Sequence, residues 1–86
     1  MTNSNGGKEM KKTTGTAGQT QYIKYGTTFL GGELYDVMYV IESFNGRWTL
    51  GRIEKDELGN YDTDEDCLGF FNTKKDAVAE MMIDIA

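Results

Sequence analysis

Asn45-Gly46 constrains this chain more than any other feature, because it sits between two runs rich in β-forming residues, Tyr35–Phe44 (YDVMYVIESF) and Arg47–Glu54 (RWTLGRIE). A two-residue type I′ turn needs positive φ at both central positions, and Asn followed by Gly reaches that conformation at least cost. A two-residue loop there dictates the register: Phe44 faces Arg47, Ser43 faces Trp48, Ile41 faces Leu50 and Tyr39 faces Arg52. Alternation then sorts the side chains. One face carries Val37, Tyr39, Ile41, Trp48 and Leu50 and reads as core. The other carries Met38, Val40, Phe44 and Ile53, diluted by Glu42, Arg47 and Thr49. It reads as a partly covered or contact surface.

The flanking segments extend this hairpin. Thr20–Leu30 (TQYIKYGTTFL) suits a strand, with Gly26 as an interruption, and reads as an edge strand or extended arm. Gly31-Gly32 supplies a turn, and residues 55–60 (KDELGN) supply another. Cys67–Phe71 (CLGFF) reads as a last short strand, with Cys67 as a small buried apolar residue. Thr73, followed three residues later by Asp76, has the form of a capping box and predicts a helix start. In that helix Ala77, Val78, Met81, Met82 and Ile85 fall on one face. Asp84 stands near its C-terminus, where the helix dipole disfavours a negative charge. Residues 1–20 are Gly-, Thr- and Lys-rich, with too little apolar surface to offset the entropy of ordering. The expected organisation is a disordered tail over 1–20 and a single α+β domain over 21–86. That domain is a three- to four-stranded antiparallel sheet with one C-terminal helix packed on one face.

Size and composition narrow the chemistry. A folded part of about 65 residues buries only roughly 60% of the surface its unfolded chain exposes, too little for a deep enclosed active site. The chain has no His, so it lacks an imidazole base and His-ligated metal. Its one cysteine permits no internal disulfide and suits a reducing cytoplasm. Acids next to Cys67 disfavour a reactive thiolate. No apolar run approaches the ~18 residues of a membrane span, and the amino terminus lacks the apolar stretch of a secretion signal. The expectation is a cytoplasmic, non-enzymatic protein without cofactor or metal. Formal net charge is -5, from 14 acids and 9 bases. Direct wrapping of DNA or RNA needs an excess of Lys and Arg, so nucleic acid is not the expected ligand.

The acids concentrate in residues 54–66 (EKDELGNYDTDED), which hold seven carboxylates and one Lys. Glu54, Asp56, Glu57, Asp62, Asp64, Glu65 and Asp66 form the candidate partner-binding site, with Tyr61 as its aromatic anchor. In extended chain the residues rise about 3.3 Å each, close to the ~3.4 Å per phosphate of one DNA strand. Such a segment would imitate a phosphate backbone. The same residues also read as a solubilising loop. Asp62, Asp64 and Asp66 have the 1-3-5 spacing of a calcium loop, but Cys67 and Thr73 stand where that loop needs Gly and Glu. Ten aromatics exceed what one sheet face holds, so some are expected to stay exposed among the acids as anchors for a protein partner.

A small acidic chain without His, with a hairpin on Phe44-Asn45-Gly46-Arg47-Trp48 and a terminal helix opened by Thr73-Lys74-Lys75-Asp76, resembles the accessory proteins of phages, prophages and plasmids. Within that group it is similar to the anti-CRISPR and other anti-defence proteins. The resemblance covers residues 33–86 and lies in size, charge and architecture, so it carries over no site residue. It implies an inhibitor that blocks a basic nucleic-acid-binding host protein, such as a CRISPR effector. Other expectations drawn from the residues are a self-associating assembly protein, a homodimer through the second hairpin face or a free edge at Thr20–Leu30, and a small calcium-responsive module.

Overall fold

The computed structural model describes residues 10–86. Five strands and one helix follow in chain order: β1 (Lys11–Thr14), β2 (Thr20–Leu30), β3 (Glu33–Phe44), β4 (Arg47–Glu54), β5 (Asp66–Phe71) and α1 (Lys74–Asp84). The strands form one antiparallel sheet in the order β1-β2-β3-β4-β5. The α+β class and the single C-terminal helix match the expectation from sequence, but the sheet has five strands rather than three or four.

The additional strand is β1, which lies inside the segment read as a disordered tail. Lys11–Thr14 pairs with Thr20–Ile23. Its turn is held by polar groups rather than apolar burial: the Gly15 amide donates to the Gln19 carbonyl at 2.8 Å and the Gly18 amide to the Gly15 carbonyl at 3.0 Å. The Gln19 side chain accepts from the Ala17 amide at 3.0 Å. An edge strand needs little apolar content when its turn is satisfied locally. The remainder of the expected tail, residues 1–9, lies outside the described residues. With β1 beside it, β2 is not the sheet edge over Thr20–Ile23. Gly26 does not break it either: a Cβ there would stand 2.7 Å from Ile85 Cδ1, so the missing side chain admits the end of the helix.

The central hairpin adopts the dictated register, from Phe44 opposite Arg47 to Val37 opposite Glu54. Asn45 and Gly46 take φ of 52° and 75°, as a type I′ turn requires. Tyr22 pairs with Ile41 and Ile41 with Leu50, so these three share a face. On that face Val37, Tyr39, Ile41 and Leu50 are buried beneath Ala77 and Met81 of α1. Trp48, Val78, Met82 and Ile85 pack around them. Each fully buried side chain of Val, Leu, Ile or Met size contributes roughly 1.5–3 kcal/mol. Thr73 caps the helix as expected, its side chain accepting from the Asp76 amide at 3.1 Å. Lys74 places its ammonium 3.7 Å from the centre of the Tyr22 ring.

Asp84 departs from its expected role. Its carboxylate accepts from the Tyr39 hydroxyl at 2.6 Å and from Arg52 Nη1 at 2.9 Å. Its carbonyl accepts from Thr28 Oγ1 at 2.8 Å. Burial opposes its ionisation, but the bonds from Tyr39 and Arg52 and the Arg52 charge outweigh it and hold the carboxyl below its ordinary pKa. Burial, and then the Asp84 bond, push the Tyr39 phenol far upward. The unfavourable dipole position is offset by a bonded partner on each of two strands.

Two substitutions test this frame. Gly46→Val places a β-branched residue at positive φ and is expected to cost at least ~1 kcal/mol in urea unfolding. A neutral result would contradict the turn. Asp84→Asn keeps the shape, removes the charge and is expected to cost roughly 1–3 kcal/mol at pH 7. Because the folded state favours ionised Asp84, the wild-type advantage belongs to pH above the ordinary carboxyl range. It disappears as pH falls through the lowered pKa. Equal unfolding midpoints at pH 7 would show that the bonds to Tyr39 and Arg52 contribute nothing net.

Candidate partner-binding surface

The helix covers one side of the sheet and leaves the other open. Strand phase assigns Ile23, Tyr25, Thr27 and Phe29 of β2 to the open face. Leu34, Asp36, Met38, Val40, Glu42 and Phe44 of β3 join them, with Arg47, Thr49, Gly51 and Ile53 of β4. Tyr25 is 58% exposed, Phe29 64% and Leu34 56%; Phe29 and Leu34 are direct cross-strand partners. Phe44 and Phe70 are exposed at the opposite end of this face. Solitary exposed apolar residues are ordinary, whereas a contiguous group on one face marks an interaction surface.

Val40 and its cross-strand partner Gly51 are buried although they lie on the face away from the helix. What lies over this face is the β4–β5 connection, residues 55–65. Tyr61 packs on Tyr25, with ring centres 5.2 Å apart and planes tilted by 59°. Glu65 lays its carboxylate in the space that a side chain at position 51 would fill. Gly51 is therefore the residue that lets the connection lie flat on the sheet.

The acidic residues are thereby divided. Glu54 ends β4 on the helix-bearing side, opposite Val37. Asp56 is committed to its own turn, its carboxylate accepting from the amides of Leu58 at 2.9 Å and Asn60 at 2.8 Å. Asp66 pairs with Arg52 at 3.8 Å, also on the helix-bearing side. Glu65 is drawn onto the sheet, where burial, and then the nearby Glu42 charge, raise its pKa. Glu42 in turn accepts from Gln19 Nε2 at 2.7 Å. Glu57, Asp62 and Asp64 stand exposed in the same connection. The regular, phosphate-like spacing is not present: the connection turns at residues 57–59 and becomes strand only at Asp66. The calcium spacing is broken as well, since Asp66 faces Arg52. Among the described residues no three His, Cys, Asp or Glu side chains gather as metal ligands.

Cys67 is exposed rather than buried, because it pairs with Gly51 at an irregularity in the β4–β5 ladder on the sheet edge. Tyr25, Phe29 and Leu34 were not marked by the sequence as site residues. The signal for Tyr25 and Phe29 is the phase of β2, which becomes readable only once its register with β3 is known, whereas Leu34 shares the β3 phase of Met38 and Val40. No helix among the described residues is long and apolar enough to cross a membrane. Comparison with protein-family models, curated proteins and solved structures finds no match to this chain.

Glu65→Gln tests how the connection is held. Folding raises the Glu65 pKa, so the ionised carboxylate opposes the folded state at neutral pH and its protonated form does not. The variant is expected to melt above wild type at pH 7. The gap should close as pH falls through the raised pKa, where wild-type Glu65 also becomes neutral. A gap that persists unchanged at low pH would remove Glu65 from the packed interface.

Proposed function

We propose that this chain is a non-enzymatic binding protein that occupies a basic surface of a cytoplasmic nucleic-acid-binding protein, with a CRISPR effector as one such partner. The observation that carries this reading is the fold of the acidic connection onto the open sheet face. It packs Tyr61 against Tyr25 on the face that also exposes Phe29 and Leu34, and it leaves Glu57, Asp62 and Asp64 of the same connection exposed. Acids speed the encounter with a basic groove, and desolvated aromatics hold the complex once formed. The partner's nucleic acid is excluded because the two compete for the same basic residues. Self-association through this face would bring together two copies that each carry a net charge of -5, an arrangement their repulsion disfavours.

The test is competitive capture. The immobilised chain is expected to retain from host lysate a basic nucleic-acid-binding protein that added duplex DNA releases. Glu57→Gln, Asp62→Asn and Asp64→Asn together remove three charges from residues without a structural role in the connection. This variant is expected to associate roughly ten-fold or more slowly at low salt, with little change in dissociation. Equal capture by both proteins at low and high salt would reduce the acidic connection to a solubilising loop.

A further inference from the structure

Resting on the binding surface described above, we propose that the exposed side of the Tyr25 ring, beside the Tyr61 ring packed on it, receives an arginine side chain of the partner. The two rings stand 5.2 Å apart at 59°, one on the flat of the sheet and the other on the connection folded over it. Tyr25 is more than half exposed, so its ring is open to a ligand. One carboxylate is placed beside Tyr25 by the strand register, and another follows Tyr61 in the chain. Asp36 lies on the same open face, opposite Thr27 and therefore diagonal to Tyr25. Asp62 follows Tyr61 directly and is exposed. Beyond Thr27, Phe29 and Leu34 continue the apolar floor, suited to the methylene stem of a long cationic side chain.

This combination distinguishes arginine from lysine. A guanidinium is planar and weakly hydrated, so it can stack on an aromatic face while its edge donates to carboxylates. An ammonium is compact and strongly hydrated, and loses more when an exposed ring displaces its water. Lys55, the cation already near this site, keeps to Asp36 at 3.6 Å. The chain accommodates cations on tyrosine elsewhere, as Lys74 over Tyr22 shows on the opposite face. A partner bound only through charge would not need the rings; a partner that presents arginine uses rings and acids together.

The experiment titrates the full chain, at physiological salt, with a nine-residue arginine peptide and a nine-residue lysine peptide. Wild type is expected to prefer the arginine peptide by about fivefold, the scale of one partly exposed cation–π contact. Tyr61→Leu and, separately, Tyr25→Leu should abolish that preference and leave lysine-peptide affinity unchanged. Tyr61→Phe, which keeps the ring, should retain it. The Glu57/Asp62/Asp64 neutralised variant should weaken both peptides. Equal binding of both peptides by wild type overturns the arginine site and leaves the acidic-surface reading standing. Binding of neither peptide overturns both. A preference that survives both leucine variants, with melting temperatures confirming that they are folded, also overturns the site, since the discrimination would then come from carboxylates alone.

Discussion

The Asp84 carboxylate organises the molecule. It gathers the Tyr39 hydroxyl from β3 and the Arg52 guanidinium from β4, while the adjoining backbone takes Thr28 from β2. The Ala86 amide then donates to the Thr27 carbonyl at 2.8 Å. Three strands and the end of the helix are thus joined around one partly buried negative charge. Apolar burial brings α1 to the sheet but is non-directional. The charged hydrogen bonds, with their narrower geometry, set where the helix ends. With that side closed, the β4–β5 connection has only the open face on which to pack its aromatic ring.

The two faces consequently do different work. On the helix side, Arg52 meets Asp84 and Asp66 beside an apolar core, although its Nε is buried without a partner among the described residues. On the open side, the charged groups around the connection remain largely in water, and the apolar groups beside them lack a cover. A partner carrying positive charge and apolar or planar groups would satisfy both at once. That complementarity, rather than any motif, is the physical basis for reading this surface as an interface.

Much of the frame was legible in the residues. Asn45-Gly46 set the central register, alternation separated Tyr39 and Ile41 from Met38 and Val40, and Thr73 marked the start of the helix. The signals that failed share a cause. β1 rests on a polar turn at Gly15–Gln19, which carries no hydrophobic pattern. Asp84 seemed misplaced because its partners, Tyr39 and Arg52, are more than thirty residues away. The acidic segment resembled one continuous patch, yet Asp56, Glu65 and Asp66 are each drawn to different groups. Gly51 and Gly26 acquire meaning only from Glu65 and Ile85, which the chain brings to them through tertiary contact.

The order of the sheet bears on how such a chain reaches its native state. Every strand pairs with the strand that follows it along the sequence. The first three hairpins can close through loops of two to five residues, at a small entropic cost, and the β4–β5 pair closes through the longer connection 55–65. Folding rate falls as contacting residues lie farther apart in sequence, so a meander of this kind belongs at the quick end for β-rich domains. The distant closures are those of the helix, such as Thr28 to Asp84 across 56 residues, and that of the connection, which brings Tyr61 to Tyr25. A chain assembled in this order covers each inner strand edge as the following strand is made, so that only the outer edges of β1 and β5 stay unpaired.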